Sequence, residues 1–313
     1  MRVALLLNPI AGAGGAAREA PEIAAMIREL AGEEIELYVT EEPGHAVQIA
    51  RDVRARSVDV LFVLGGDGTV HEALNGLVDP LGGPAPSTVL VPLPAGTGND
   101  IVRMLTPHSH AEAIVRRALA GHTRLVDVGR ARFLRIEWGT DEIGSLPVRL
   151  FLNGANVGLA AAVAAQVNAS VSPRVIRRLA FPLAIVRELA RQTPIALTVQ
   201  LDTGVPREIA AWNLTVANGR SAGGGFLLAP GAMIDDGEFD VVTIGATSFA
   251  RALRSLSRLR DGSHLALPFV SCERLSRIHV RTADPQMVEA DGEWIGETPC
   301  SFDVLPRAVR VVA

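Results

Sequence analysis

Two glycine-rich segments, each carrying an aspartate, follow apolar runs in this sequence. The first reads GGDGTVHEALNGL at positions 65–77, directly after VDVLFVL, and the second reads PAGTGND and ends at Asp100. Small residues at a strand-to-helix turn expose backbone N–H groups that suit phosphate oxygens, but an aspartate there repels phosphates unless a divalent cation lies between them. One such loop is equally well a tight turn in which Asp67 caps the following helix. Two of them on successive strand ends predict one phosphate site.

A third glycine-rich segment lies near the start of the chain. It reads GAGGAA at positions 12–17 and fits the degenerate G-x-G-x-x-A pattern of dinucleotide sites, with Glu41 and Glu42 after the next strand. The pattern is weakly specific, and a glycine turn leading into a helix whose N-terminus attracts an anion is more common. The segment therefore indicates a turn first and a dinucleotide site second.

Two later segments also carry carboxylates. APGAMIDDGEFDVV, at positions 229–242, offers acids around one glycine, and hard cations take such oxygens together with backbone carbonyls. An Asx turn before a strand explains the same segment equally well. EADGEWIGE, at positions 289–297, contains the turn dipeptide Asp291-Gly292, so its residue types alone favour reading Glu293 as an exposed hairpin acid.

The elements that must position these residues fall into two patterns. Up to about residue 125, apolar strands alternate with helical spacing: 3–7, 18–30, 34–40, 46–56, 58–64, 70–78 and 88–92. Continuous apolar strands predict a parallel, Rossmann-like sheet that binds ligands at the carboxyl ends of its strands. The later segments are β-rich with inserted helices and turn signals, which favours an antiparallel β-sandwich. We therefore predict an α/β domain at residues 1–125 and a β-sandwich domain at 126–313.

Composition excludes several classes of function. The chain has 313 residues, 48% of them hydrophobic, a net charge of −4 and a pI near 6.0, so it lacks the basic surface of a nucleic-acid binder. All 30 basic residues are arginine, which excludes a Walker A loop and a protein-kinase fold because both use a lysine. The two cysteines have no CxxC spacing, which favours a reducing compartment, and we expect a cytoplasmic protein.

Membrane contact is expected to be peripheral. No segment approaches the roughly 18–20 apolar residues of a membrane span. The arginine-rich stretch SPRVIRRLAFPLAIVRELARQ could lie on anionic lipid, although an ordinary solvated amphipathic helix is more common. The sequence leaves the oligomeric state open, and a homodimer is compatible with it.

Four segments together resemble one family. In chain order NPIAG, GGDGTVHEALNGL, LPAGTGNDIVR and DGEWIGE look like the diacylglycerol kinase catalytic domain family, specifically its soluble bacterial lipid kinases related to sphingosine and ceramide kinases. NAD kinases share GGDGT, so the specificity comes from its pairing with P-x-G-T-x-N-D and the late DGE-x-x-G. The resemblance implies an α/β nucleotide domain, a β-sandwich lipid domain, ATP and Mg²⁺.

The same resemblance implies roles for individual residues. Asp67 and Asp100 organise phosphates, water and Mg²⁺, Asp127 joins that network, and Glu293 accepts the proton of the lipid hydroxyl. The implied ATP contacts are Asn8, Thr40, Gly65, Gly66, Asp67, Gly68, Thr69, Val70, His71 and Thr97. The implied structural Mg²⁺ site uses the Asp236 side chain and the carbonyls of Met233 and Glu238. His71 departs from the family pattern, which more often has Asn-Glu where this chain has His71-Glu72.

The resulting expectation is an ATP- and Mg²⁺-dependent kinase that phosphorylates a hydroxyl of a lipid such as diacylglycerol or phosphatidylglycerol at a membrane surface. Three alternatives stay open at this point. An NAD kinase-type enzyme shares the GGDGT loop, a nucleotide- or lipid-binding regulator needs no turnover, and a Rossmann oxidoreductase depends on the first glycine loop alone.

Overall fold

A computed structural model describes residues 1–96, 98–107, 109–133, 148–169 and 174–313 of the chain, with no side-chain description for 168, 169 and 174–182. Thr97 and most of the predicted strand at 133–138 lie outside these residues. The chain divides into two compact units. Unit 1 comprises residues 1–128, 234–236 and 305–313, and unit 2 comprises 129–233 and 237–304. Both units are thus discontinuous in sequence, whereas the sequence pattern placed a single boundary near residue 125.

Unit 1 is an α/β structure. Its elements are β1 (Val3–Leu7), α1 (Ala11–Ala31), β2 (Glu36–Val39), α2 (His45–Ala55), β3 (Val60–Gly65), α3 (Asp67–Leu77), β4 (Val89–Pro94), α4 (Asp100–Leu105), α5 (Ala111–Leu119) and the start of β5 (Thr123–Phe133). The strands β2, β1, β3 and β4 pair in parallel in that order. The end of the C-terminal strand β15 (Cys300–Val312) pairs with β4. The predicted parallel sheet is confirmed.

Burial explains why these segments fold this way. Every residue of β1 and β3 is buried, because helices cover both faces of the sheet. Neither face of these strands is exposed to solvent, so apolar and polar residues do not alternate along them. Ile23 and Ile27 of α1 pack against Leu5 and Phe62 in one apolar cluster. The apolar runs recognised in the sequence are therefore the core strands that hold the glycine loops at their ends.

Unit 2 is mostly antiparallel. It contains the remainder of β5, β6 (Val148–Phe151), β7 (Gly154–Gly158), α6 (Leu159–Ala169), α7 (Arg174–Arg191), β8 (Ile195–Leu201), β9 (Arg207–Ala217), β10 (Phe239–Gly245), α8 (Phe249–Ser255), β11 (Val270–Leu275), β12 (Arg277–Arg281), β13 (Met287–Ala290), β14 (Glu293–Glu297) and the first part of β15. The strands run in the order β14, β13, β7, β9, β8, β12, β15, and β10 pairs with both β9 and β11. The predicted β-sandwich character is confirmed.

Aromatic packing marks the core of unit 2. The rings of Phe151 and Phe239 stack with centroids 5.6 Å apart, and Phe302 meets Phe151 edge-on at 6.2 Å. All three side chains are fully buried.

Within the part of the chain that the structure describes, no helix is long and apolar enough to span a membrane.

Candidate functional site

The loops that follow β1, β3 and β4 meet at one edge of the sheet of unit 1. Gly12 has a left-handed backbone, and a Cβ placed there would lie 2.3 Å from the carbonyl oxygen of Ala95. A Cβ on Gly96 would lie 2.8 Å from the Cα of Gly66. Side chains at these glycines would push the loops apart, so glycine is what lets their backbones touch. The predicted convergence of the glycine-rich turns is confirmed.

Asp67 joins two of these loops. Its Oδ1 accepts a hydrogen bond of 3.1 Å from the backbone N–H of Ile101, in the first turn of α4. A Cβ on Gly98 would come within 2.8 Å of Asp67 Oδ2, so the carboxylate also lies against the second loop. Gly66 is the N-cap residue of α3, and the Asp67 carboxylate reaches beyond its own helix to the first turn of α4. The helix dipole of α4 favours a negative charge at this position.

Asp100 lies beside a cation that the sequence argument did not single out. Arg103 Nη2 is 2.7 Å from Asp100 Oδ1, and the Arg103 side chain is 46% exposed while the Asp100 side chain is 12% exposed. The i, i+3 spacing on a helix was the available signal. In a chain without lysine, Arg103 supplies positive charge next to the proposed phosphate loop.

The second loop is held by its own backbone and side chains. Asn99 has a left-handed backbone with φ of 53°, and its Oδ1 accepts the Gly96 N–H at 2.8 Å. Asparagine tolerates this conformation better than most residues. The loop geometry thus explains Gly96, Gly98 and Asn99 of PAGTGND, while Thr97 lies outside the described residues.

Asn8 and Thr69 tie the first strand to the GGDGT loop. Asn8 Nδ2 donates to Thr69 Oγ1 at 2.9 Å, and the Asn8 N–H donates to the Leu64 carbonyl at 3.0 Å. Thr40, at the end of β2, donates its N–H to the Leu7 carbonyl at 2.9 Å. These predicted ATP contacts therefore lie at the carboxyl ends of neighbouring parallel strands.

The remaining residues of the loop differ in exposure. Gly66, Asp67 and Gly68 are half-buried, whereas Val70 and His71 are buried in α3. A side chain at position 65 would collide with Thr69, which explains Gly65. A ligand above the loop would meet its backbone rather than the Val70 side chain. The predicted ATP contacts of Val70 and His71 stay predictions.

Asp127 is fully buried in β5. Its Oδ1 accepts the Arg307 N–H at 2.7 Å, and its own N–H donates to the Ile234 carbonyl at 2.7 Å. These contacts attach β5 to the end of β15 and to the 234–236 segment within unit 1. Participation of Asp127 in a network with Asp67 and Asp100 stays a prediction.

In unit 2, Glu293 follows a two-residue turn. Asp291 and Gly292 have φ values of 51° and 92°, and Ala290 pairs with Glu293 across the turn, as in a type I′ hairpin. Glu293 is exposed at the start of β14. The hairpin predicted from the Asp-Gly dipeptide is confirmed, and its tip presents a carboxylate to solvent.

Asp291 anchors this turn in a way that the sequence did not reveal. Its carboxylate accepts three consecutive backbone N–H groups, those of residues 152, 153 and 154, at 2.8, 2.9 and 3.2 Å. The partners lie 137–139 positions away in the chain, so no local pattern indicates them. The turn therefore has a fixed position on the β6–β7 connection.

The acid-rich segment at 233–238 contains ion-paired side chains. Arg274 lies 2.9 Å from a carboxylate oxygen of Glu238, and Arg124 lies 3.7 Å from one of Asp235. Among the described residues, no group of three or more His, Cys, Asp and Glu side chains is arranged to hold a metal. The predicted Mg²⁺ site depends on two backbone carbonyls and the Asp236 side chain, and it stays a prediction.

Comparison with known proteins covers almost the whole chain. Residues 2–131 match the model of the diacylglycerol kinase catalytic domain, and residues 154–313 match that of the YegS C-terminal NAD kinase beta sandwich-like domain. A diacylglycerol kinase of Mycobacterium tuberculosis is 30% identical over 99% of this chain and 94% of its own length.

Solved structures agree in fold. A putative diacylglycerol kinase from Bacillus anthracis aligns with a TM-score of 0.77 at 24% identity, over 99% of this chain and 94% of that chain. An NAD kinase from Archaeoglobus fulgidus in complex with ATP aligns with a TM-score of 0.52 at 17% identity, over 100% and 94% of the two chains. On the matches of both family models and of the mycobacterial relative, this chain belongs to the diacylglycerol kinase family, a family of lipid kinases.

Proposed function

We propose that this chain transfers the γ-phosphoryl group of ATP to the hydroxyl of a membrane lipid, with diacylglycerol as the first acceptor to test. The observation that carries the proposal is the junction of three glycine loops in unit 1, where Asp67 spans the start of α3 and the start of α4. Backbone N–H groups and helix N-termini at such a junction suit the phosphates of a nucleotide. The family membership supports ATP as the nucleotide that carries these phosphates.

Mg²⁺ fits the residues present. Magnesium is commonly held by one or two carboxylates and completed by substrate phosphates and water, so it needs no three-ligand protein cluster. Asp67 and Asp100 offer carboxylates in the two loops that lie against each other. Bound there, the ion would neutralise charge that develops on the phosphates.

This chain's own side chains would supply further positive charge and accept the proton. Arg103 supplies a partly exposed cation beside Asp100, in place of the lysine that the chain lacks. Glu293 takes the proton from the lipid hydroxyl. The hydroxyl oxygen forms a bond to the γ-phosphorus while the bond from that phosphorus to the leaving ADP oxygen breaks. Products are the phosphorylated lipid and ADP.

The names of relatives indicate which acceptor to test first. Relatives of similar length are named diacylglycerol kinases, which makes diacylglycerol the first acceptor to test and phosphatidylglycerol the second. The protein would reach either lipid by peripheral contact at a membrane surface. An NAD kinase activity is the second candidate, since the A. fulgidus NAD kinase shares the fold.

The test uses purified protein, labelled ATP and Mg²⁺ with diacylglycerol micelles, phosphatidylglycerol micelles or NAD as acceptor. We expect labelled lipid and no labelled NADP. Glu293→Gln should lower kcat by about 100-fold or more, because a positioned base contributes roughly 10²–10⁴-fold. Glu297→Gln, at the exposed opposite end of β14, is the matched control and should behave as wild type.

Two outcomes would contradict the proposal. Transfer to NAD without any transfer to lipid would assign the chain to the second candidate. Full lipid kinase activity in Glu293→Gln would remove this residue from the mechanism while leaving the activity itself in place.

We also propose a structural Mg²⁺ at residues 233–238, held by the Asp236 carboxylate and the carbonyls of Met233 and Glu238. The ion pairs of Asp235 and Glu238 with arginines support this choice, since the Glu238 side chain is already engaged and its carbonyl is the expected donor. Without nucleotide, Mg²⁺ should raise the Tm of wild type more than that of Asp236→Asn. An equal rise in both proteins would contradict the assignment.

A further inference from the structure

A buried polar row crosses three strands of unit 2. Glu289 of β13 lies opposite Asn156 of β7, which lies opposite Thr215 of β9. All three side chains are at most 7% exposed. Their neighbours along the strands point into the apolar core: Ala155, Val157, Leu214, Val216, Val288 and Ala290. Because side chains alternate along a strand, the polar row lies on the opposite face, where α6 packs against the same strands.

In each hydrogen bond along this row, the donor and the acceptor are determined. Asn156 Nδ2 donates to Glu289 Oε2 at 2.8 Å, while Asn156 Oδ1 accepts from Thr215 Oγ1 at 2.7 Å and from Asn213 Nδ2 at 3.1 Å. Asn213 Oδ1 in turn accepts the Ala160 N–H at the start of α6, at 2.8 Å. Two donors therefore fix the orientation of the Asn156 amide, and its N–H must point to Glu289.

The row ends at the hairpin that carries Glu293. Glu289 Oε1 accepts the backbone N–H of Gly292 in a short hydrogen bond. Gly292 lies between the anchored Asp291 and Glu293, so the Glu289 carboxylate holds the Asp291–Gly292 peptide, one peptide before Glu293. A nearly buried carboxylate has a large desolvation cost that is offset only when its oxygens are hydrogen-bonded, as they are here.

An Asp-Gly hairpin forms without such help. Two-residue turns of this type are stable through their own backbone preferences, and the three N–H groups at 152–154 already attach Asp291 to the β6–β7 connection. Loss of the Glu289 carboxylate should therefore leave the hairpin folded while loosening the direction in which Glu293 projects. Fully satisfied buried networks rigidify the groups they connect.

We propose that Glu289 is a positioning residue for phosphoryl transfer, which holds the Gly292 N–H and is itself oriented by Asn156. The proposal rests on the role of Glu293 in the proposed function. A base must lie within hydrogen-bond reach of the hydroxyl it deprotonates, so loss of position lowers the rate of the chemical step more than nucleotide binding.

A reciprocal pair of substitutions tests the direction of the hydrogen bonds. Glu289→Gln keeps shape but offers one acceptor oxygen to two donors, Asn156 Nδ2 and the Gly292 N–H, so its NH₂ group opposes one of them. Glu289→Gln with Asn156→Asp restores a complementary pair with the direction reversed, because the new amide at position 289 donates to the new carboxylate at position 156 and keeps its oxygen for the Gly292 N–H. The carboxylate also keeps an acceptor for Thr215 and Asn213, and net charge is preserved. Glu297→Gln again serves as the matched control on the same hairpin.

Two readouts are needed, one of which is independent of activity. In the lipid kinase assay we expect Glu289→Gln to lower kcat by about 10- to 100-fold and to change the KM for ATP by less than about twofold. The double variant should recover most of kcat. By hydrogen exchange, the Gly292 amide should exchange faster in Glu289→Gln and return toward wild type in the double variant.

Each result decides a different claim. Unchanged kcat in Glu289→Gln, with Glu293→Gln inactive, would overturn the positioning role and leave the proposed function standing. Equal loss of kcat in the single and double variants would also overturn it, because hydrogen-bond direction would then be irrelevant. If wild type phosphorylates no lipid, the proposed function and the kinetic role of Glu289 both fall, and exchange of the Gly292 amide alone decides whether Glu289 holds the turn.

Discussion

At the scale of single residues, Asp67 combines a structural contact with the chemistry proposed for it. Its Oδ1 accepts the Ile101 N–H, and Gly98 allows the second loop to approach its other oxygen. A neutral amide could keep the first contact but not the charge. The two roles can therefore be separated by substitution.

We expect Asp67→Asn to lower kcat by about 100-fold or more, since a charged group beside the reacting phosphates is lost, while the Tm stays near that of wild type. Asp67→Ala should lose activity and also about 1 kcal/mol of unfolding free energy, because the first turn of α4 loses its acceptor. Steady-state kinetics and urea unfolding measure both. Equal destabilisation by Asn and Ala would show that the contact with Ile101 requires the charge.

At the scale of elements, α3 organises the helix beside it. Glu72 accepts the Gly44 N–H at 2.9 Å and the Ala46 N–H at 3.2 Å, at the start of α2. The N-cap residue of α2 is Gly44, which has no side chain to do this. A Cβ at Gly76 would lie 2.3 Å from the Val47 carbonyl oxygen, so glycine there lets the two helices touch. Glu72 of the GGDGTVHE segment is thus a cap for a neighbouring helix.

Glu72→Ala should lower the unfolding free energy by about 1–2 kcal/mol, as expected when a helix N-terminus loses its acceptor. Glu72→Gln, which keeps an acceptor oxygen, should cost less. Glu42→Ala removes an exposed acid from the same loop and is the control. Urea unfolding of the three variants checks the order, and an Ala variant as stable as wild type would contradict the capping role.

At the scale of the whole molecule, two strands belong to both compact units. β5 begins in unit 1 and continues in unit 2, and β15 pairs with β12 in unit 2 before its last residues pair with β4 in unit 1. Asp127 and the 234–236 segment meet in unit 1 although residues 129–233, all of them in unit 2, lie between them in sequence. The folding of unit 1 therefore needs segments from the end of the chain.

A buried histidine makes global stability depend on pH. Burial lowers the pKa of His264, opposed by the hydrogen bond between its Nε2 and the Leu228 carbonyl. The unfolded side chain titrates near about 6.5, so the folded state binds this proton less readily than the unfolded chain does. This contribution to the unfolding free energy is therefore fully present above the pKa of the unfolded histidine, and it is lost as the pH falls through that value.

We therefore expect wild type to lose more unfolding free energy between pH 7 and pH 5 than His264→Asn. Burial also lowers the pKa of the half-buried His279, so part of the dependence remains in the variant. His122→Asn, at an exposed histidine, should follow wild type. Urea unfolding at the two pH values provides the measurement, and parallel losses in wild type and His264→Asn would exclude His264 as the source.

The sequence by itself determined the parallel α/β unit, the glycine turns, the Asp-Gly hairpin and the family. These features depend on contiguous residues, because apolar runs, glycine conformations and turn preferences are local properties. Tertiary structure alone decided that Asp67 caps α4, that Glu72 caps α2, and that Asp291 is anchored on residues 152–154. Glu289 and Asn156 are 133 positions apart in the chain, and only the order and register of β13 and β7 make them neighbours. Such pairs arise from strand order and helix packing, which no single segment encodes.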